Sequence, residues 1–150
     1  MTSRYFDAGQ GRWLWEITGL AGVREYVSAE ERAPDLRNPS YYWGFIRPQF
    51  YGKLVEPILQ DRLSRRALLL LDEEKVGHAP CYTLFHALMR DEELTLMVYA
   101  RSMDEAKSAA DYQFFRWLAA ALTRALESRG VKVFSTRMMV TVGSYHWEAQ

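Results

Sequence analysis

The stretch HAPCYTLFHALMRDEELTLMVYARSMD, residues 78–104, decides how this chain folds. Two runs in it, CYTLFHALM and ELTLMVYAR, are dense in aromatic and aliphatic residues, and the charged RDEE divides them. Strand-like runs joined by so short a polar break predict an antiparallel hairpin. With the turn centred on Asp91 and Glu92, the numbers of facing residues sum to about 182 or 183. Cys81 then faces Arg101 or Ser102. A guanidinium within several ångströms favours a thiolate over a thiol and lowers its pKa. The same fork fits a phosphate or a carboxylate. Cys81 is the only cysteine in the chain, so it has no internal disulfide partner. Two readings stand: a small buried hydrophobe beside an arginine that ends its strand, or a thiol that does chemistry.

Outward from the hairpin, GRWLWEITGLAGVREYVSAEE carries Trp13, Ile17, Leu20, Val23 and Val27 at roughly helical spacing, with Gly19 and Gly22 interrupting it. One broken helix or two short helices are predicted there. RAPDLRNPS reads as a loop, and the aromatic YYWGFIRPQFYG follows it. YGKLVEPILQDRLSRR sets Leu54, Val55, Ile58, Leu59 and Leu63 on one helical stripe, with a kink expected at Pro57. ALLLLDEE reads as a buried strand. Arg65 and Arg66 stand where helix passes into strand, a place where cations suit the helix dipole.

DYQFFRWLAAALTRALESRG is the best helix, with Phe115, Leu118, Ala119, Leu122, Ala125 and Leu126 as its apolar stripe and Gly130 as its stop. VKVFSTRMMVTVGSYH closes the pattern as one long strand or two short ones, its Met138-Met139 pair expected in the core. Strands neighbouring in sequence with helices flanking them make the class α+β.

A chain of 150 residues, 49% hydrophobic and 14% aromatic, fits one domain spanning 1–150 with its own core. Nineteen basic residues balance nineteen acidic ones, so no global charge favours nucleic acid. No secretory pattern opens the chain, and ALLLL at 67–71 falls far short of the roughly 18 apolar residues of a membrane span. A single cysteine suits a reducing, cytoplasmic setting. One cysteine and three scattered histidines offer no zinc-ligand spacing, so no metal is expected. His86 alternates away from Cys81 along its strand, which argues against a Cys-His pair.

Taken in order, segments between residues 41 and 148 resemble the thymidylate synthase and deoxycytidylate hydroxymethylase family. YWGFIRPQFYG looks like its Tyr-Gly-x-x-x-Arg segment, and DRLSRRALLLL is similar to its Ser-Arg-Arg step into a strand. Pro-Cys and Arg-Ser-x-Asp flank the hairpin as they flank the family's nucleophile hairpin, and GSYHWE looks like the Gly-Asp-x-His-x-Tyr motif. The resemblance implies a thymidylate synthase-like mixed sheet with flanking helices, truncated relative to the family.

It also implies roles. Cys81 is the nucleophile that adds to C6 of a pyrimidine nucleoside monophosphate, and His146 contacts the sugar hydroxyl. Arg101 and Ser102 hold the 5′-phosphate. Arg65 and Arg66 reach that phosphate from the other subunit of a homodimer. Asp104 lies near the cofactor, 5,10-methylenetetrahydrofolate. The chemistry suits these residue types, because C5 is a poor nucleophile until a thiolate adds at C6. Asp111 matches the helix position that reads the base edge, provided one residue is deleted relative to the family. A carboxylate there accepts from the exocyclic amine of cytosine and meets an oxygen in uracil. The other reading of Asp111 is a helix N-cap.

Departures from the pattern are specific. With Trp15 matched to the family's tryptophan, Arg12 stands where the catalytic glutamate is expected, and Glu16, four residues on, would replace it on the same helical face. Glu148 replaces the final tyrosine, and the family's C-terminal tail and N-terminal arginine loop have no counterpart. The function expected is hydroxymethylation of a cytidine monophosphate. The alternatives are a nucleotide-binding relative without turnover, or a C5 methylase of UMP or dUMP.

Overall fold

Alternation around a tight turn builds the centre of the molecule. In the computed structural model, which describes residues 2–7, 12–18, 23–31 and 39–146, β5 (Tyr82–Arg90) and β6 (Glu93–Asp104) form the predicted hairpin. Partners run from Arg90↔Glu93 to Leu84↔Tyr99, then shift by one residue to Tyr82↔Ala100. The shift is a bulge at Thr83. Asp91 and Glu92 make the turn with φ of 50° and 61°, the left-handed pair that a two-residue hairpin requires.

Around this hairpin, the elements are β1 (Thr2–Asp7), β2 (Arg12–Thr18), β3 (Val23–Tyr26), α1 (Pro39–Phe50), α2 (Glu56–Gln60), β4 (Leu68–Leu70), α3 (Glu73–Val76), α4 (Glu105–Glu127) and β7 (Ser135–His146). β1 and β2 pair as an antiparallel ribbon. The main sheet has five strands in the order β3-β7-β6-β5-β4. β6 and β7 are parallel, joined by α4, and the other neighbours are antiparallel. The class is therefore α+β with a mixed sheet.

Where helices were expected in the segment 11–31, the described residues Arg12–Thr18 and Val23–Tyr26 are strands instead. A four-residue step, as from Trp13 to Ile17 or Val23 to Val27, is even and so does not by itself separate a strand from a helix, and the pairing of β2 with β1 slips by one residue between Trp13 and Trp15. Tryptophan, isoleucine and threonine favour the pleated surface, and pairing with β1 and β7 decides between the two periods. The loop read at 32–40 lies mostly outside the described residues, and α1 begins at Pro39.

The interruption expected at Pro57 is a π-helical segment, Tyr51–Val55, directly before it. Proline in the first turn of α2 needs no N–H donor there. Leu54, Val55 and Ile58 are fully buried as the stripe predicts, but Leu63 is 63% exposed because the helix ends at Gln60. The strand read in ALLLL lies at the sheet edge. Ala67, Leu69 and Leu71 point inward, while Leu70 faces out at 52% exposure.

α4 carries its predicted stripe onto the sheet, with Phe114 and Ala120 buried beside it. Its C-terminus closes at Gly130, whose φ of 85° lets Gly130 N–H reach the Glu127 carbonyl and Val131 N–H reach the Leu126 carbonyl. Trp43 of α1 meets Trp117 of α4 edge-on at 4.8 Å, so the two helices share one core against the inward sheet face. Met138 is buried in that core. β7 runs as one strand. Among the described residues, no helix is long and apolar enough to cross a membrane.

Candidate active site at the end of the sheet

The strand topology gathers chemistry at one end of the sheet. Cys81 immediately precedes β5, Ser102 and Asp104 lie at the end of β6, and His146 ends β7 as the parallel partner of Asp104. The β6–α4 junction then returns Asp111 to the same end.

Cys81 is held by its backbone. Its N–H donates to Tyr42 Oη at 2.9 Å. Its carbonyl accepts from the Arg101 N–H at 2.6 Å, as the spacing of the hairpin predicts. The side chain is half-buried, and Ser102 Oγ donates toward Sγ at 3.8 Å. The Arg101 guanidinium turns to the incoming loop, with Nε donating to the Pro80 carbonyl at 3.2 Å and Nη2 to the Ala79 carbonyl at 3.4 Å. It therefore braces the segment that delivers the thiol.

Asp111 sits in the second turn of α4, 4% exposed, too far into the helix to cap it. The N-cap reading of Asp111 is thereby replaced. Asp104 occupies the cap position and makes no side-chain cap hydrogen bond. The Tyr82 hydroxyl donates to Asp111 Oδ1. Burial first, and the Asp111 carboxylate second, push the Tyr82 phenol far above its ordinary value, so it stays a donor. The ring is fixed by Tyr42 at 4.4 Å and Phe115 at 4.9 Å.

Tyr42, Cys81, Tyr82, Ser102, Met103, Asp104 and Asp111 line one cavity of about 110 Å³. Drug-sized ligand pockets run to about 300–1,000 Å³, so this one suits a ring-sized group. Sequence reasoning missed Tyr42 and Tyr82. Their partners lie 39 and 29 positions away, and the signals were Tyr82's adjacency to Cys81 and Tyr42's place at the head of YWGFIRPQFYG.

Other expected residues lie apart. Arg65 and Arg66 are exposed and line a separate, larger cavity of about 510 Å³ with Pro57, Gln60, Asp61, Leu63 and Ser64. Within one chain they do not line the Cys81 cavity. The larger volume is open surface beside a helix end, whereas the smaller one holds the thiol and the buried carboxylate. His86 Nε2 meets the Arg65 carbonyl at 3.2 Å and does not line the Cys81 cavity, although the bulge at Thr83 breaks the alternation expected to separate the two residues. Glu16 lies in β2, opposite Arg4, so the helical-turn argument that lets it replace the residue at Arg12 does not apply. Glu148 lies outside the described residues. Neither a model of a known protein family nor a curated protein matches the chain.

Proposed function

We propose that this protein is a pyrimidine nucleotide C5 one-carbon transferase of the thymidylate synthase-like kind, acting on a cytidine monophosphate. The observation that carries the proposal is the convergence of Cys81, Ser102 and the buried Asp111 on one ring-sized cavity. Asp111 accepts from the cytosine amine and holds the base edge. Cys81 Sγ, as thiolate, forms a bond to C6, and the C5–C6 π pair moves to C5, which becomes the nucleophile. After C5 has gained its one-carbon substituent it loses its hydrogen as a proton, and the pair returns to C5–C6 as the sulfur leaves. 5,10-Methylenetetrahydrofolate, when bound, would supply the one-carbon unit at the formaldehyde oxidation level and leave as tetrahydrofolate when the unit's C–N bond breaks, and a water oxygen, losing one proton, would complete the hydroxymethyl group. Asp104, an exposed carboxylate at the cavity mouth without a capping bond, is an acceptor suited to a pterin's N–H groups.

In this reading Ser102, beside the thiol, and Arg101 take the 5′-phosphate, the Arg101 guanidinium turning from the carbonyls of Pro80 and Ala79 to do so. Arg65 and Arg66 join them from a second copy in a homodimer, and His146 meets the sugar. The test is tritium release from the C5 position of labelled CMP and UMP in the presence of the folate. Wild type releases label from the cytidine nucleotide, and Cys81→Ala abolishes release while leaving nucleotide binding intact. Release from neither substrate by wild type would sink the transferase reading.

A second reading, a nucleotide-binding relative without turnover, draws on the bracing of Arg101 against Pro80 and Ala79 and on the placement of Glu16 in a strand. Equal binding by wild type and Cys81→Ala, with no turnover by either, would favour it.

A further inference from the structure

We infer that His86 is a positioning residue for the substrate phosphate, acting through the peptide that joins Arg65 to Arg66; the inference rests on the phosphate role proposed above for those two arginines. α2 ends at Gln60 and β4 begins at Leu68, so both guanidiniums stand on a connecting segment with no helix or strand to aim them. Side chains grip the peptide between them at both ends. Its carbonyl, on Arg65, accepts from His86 Nε2 at 3.2 Å. Its N–H, on Arg66, donates to Ser64 Oγ at 3.1 Å. A carbonyl only accepts, so Nε2 is the ring nitrogen that carries the proton.

A peptide unit is planar, so holding it fixes the positions of both flanking Cα atoms and leaves only φ and ψ soft on either side. Arg65 and Arg66 line one cavity with Ser64, and the two forks therefore start from set points on its wall. Ser64 is itself held, 9% exposed with its N–H donating to the Asp61 carbonyl at 2.9 Å. His86 is the anchor that comes from another element. It lies on β5 opposite Leu68, in the strand that Cys81 immediately precedes. The strand that follows the thiol of one chain thus also sets the arginines that a second copy receives.

This arrangement makes a prediction that a packing role does not. Lost packing at position 86 would weaken nucleotide and nucleoside alike. Loss of the Nε2 donor should weaken only the ligand that carries a phosphate. Glutamine keeps an N–H donor on a side chain of similar reach, whereas leucine keeps bulk and has no donor.

The experiment measures calorimetric affinities for CMP and for cytidine with wild type, His86→Leu, His86→Gln and a variant carrying Arg65→Ala with Arg66→Ala, each checked by near-ultraviolet circular dichroism. The arginine variant should lose about tenfold or more in CMP affinity and nothing for cytidine. His86→Leu should lose about threefold to tenfold for CMP alone, and His86→Gln should recover most of that loss. His86→Leu that binds CMP as wild type does or weakens cytidine equally, or His86→Gln no better than His86→Leu, overturns the role of His86. Should His86→Leu fail to fold, His86→Ala and His86→Gln carry the same comparison. If wild type binds CMP no tighter than cytidine, or the arginine variant loses nothing, the phosphate role of Arg65 and Arg66 fails, a result distinct from failure of His86 alone.

Discussion

Arg101 holds Cys81 by two routes: its N–H donates to the Cys81 carbonyl at 2.6 Å, and its guanidinium donates to the carbonyls of Pro80 and Ala79 just before the thiol. The first bond belongs to the strand pairing and survives any side chain at 101. The second depends on the guanidinium, and it fixes the loop that carries Cys81 into the cavity.

Arg101→Ala should therefore loosen the loop and leave the hairpin intact. The group is exposed, so the cost in stability is about 1 kcal/mol or less. Amide exchange at Cys81 and Tyr82 should accelerate while exchange at Leu94 and Leu96 does not. Equal acceleration in all four would show that Arg101 supports the sheet and not the loop.

Gly143 packs beneath the same residue. A methyl group there would lie 2.6 Å from Tyr99 Oη and 2.9 Å from the Arg101 carbonyl oxygen. The tyrosine can swing aside, but the carbonyl belongs to a central strand and cannot. Gly143→Ala should cost about 1–3 kcal/mol in urea unfolding, and Tyr99→Ala should recover little of it. Full recovery in the double variant would place the clash on the tyrosine alone.

Much of the site was legible because a hairpin can be counted. RDEE marks the turn, and the spacing from Asp91 and Glu92 puts Cys81 beside Arg101 and Ser102 with no further information. The bulge at Thr83 changes the count from Leu84↔Tyr99 to Tyr82↔Ala100, within the range the spacing allowed. The N-terminal strands were not legible, because a four-residue step does not separate the two periods and only the strand partners distinguish them. The grip of Tyr82 on Asp111 depends on how deep in α4 the aspartate falls. The helix starts at Glu105, ahead of the polar-to-apolar transition that marked it in sequence.

The corrected helix end gives a direct comparison between two leucine-like positions of one predicted stripe. Ile58 is fully buried and Leu63 is 63% exposed. Ile58→Ala should lower stability by about 2–5 kcal/mol, whereas Leu63→Ser should stay within about 0.5 kcal/mol. Thermal or urea unfolding of both variants checks this. A comparable loss at Leu63 would mean that this residue is covered in solution, as a homodimer meeting near Arg65 and Arg66 would require.

Tyr82 also gives the fold an alkaline limit whose sign can be worked out. An unfolded tyrosine ionises near pH 10. In the folded state burial and Asp111 hold the proton well above that point. Below about pH 10 both states keep the proton, and the contribution of the Tyr82–Asp111 pair is fully present. Above it the unfolded chain binds fewer protons than the folded one, so stability falls, by up to about 1.4 kcal/mol per pH unit for this one group. Tyr82→Phe has no proton to lose there. At pH 8 the variant should be less stable by about 1–3 kcal/mol, since the buried carboxylate has lost its phenol donor. Between pH 10 and 11 the wild-type curve should descend toward that of the variant and narrow the gap. Urea unfolding of both proteins from pH 8 to 11 measures the difference, in which the other tyrosines cancel. Parallel curves would mean that the Tyr82 proton is no more tightly held in the folded protein than in the unfolded chain, and the donor role assigned to it would fall with them.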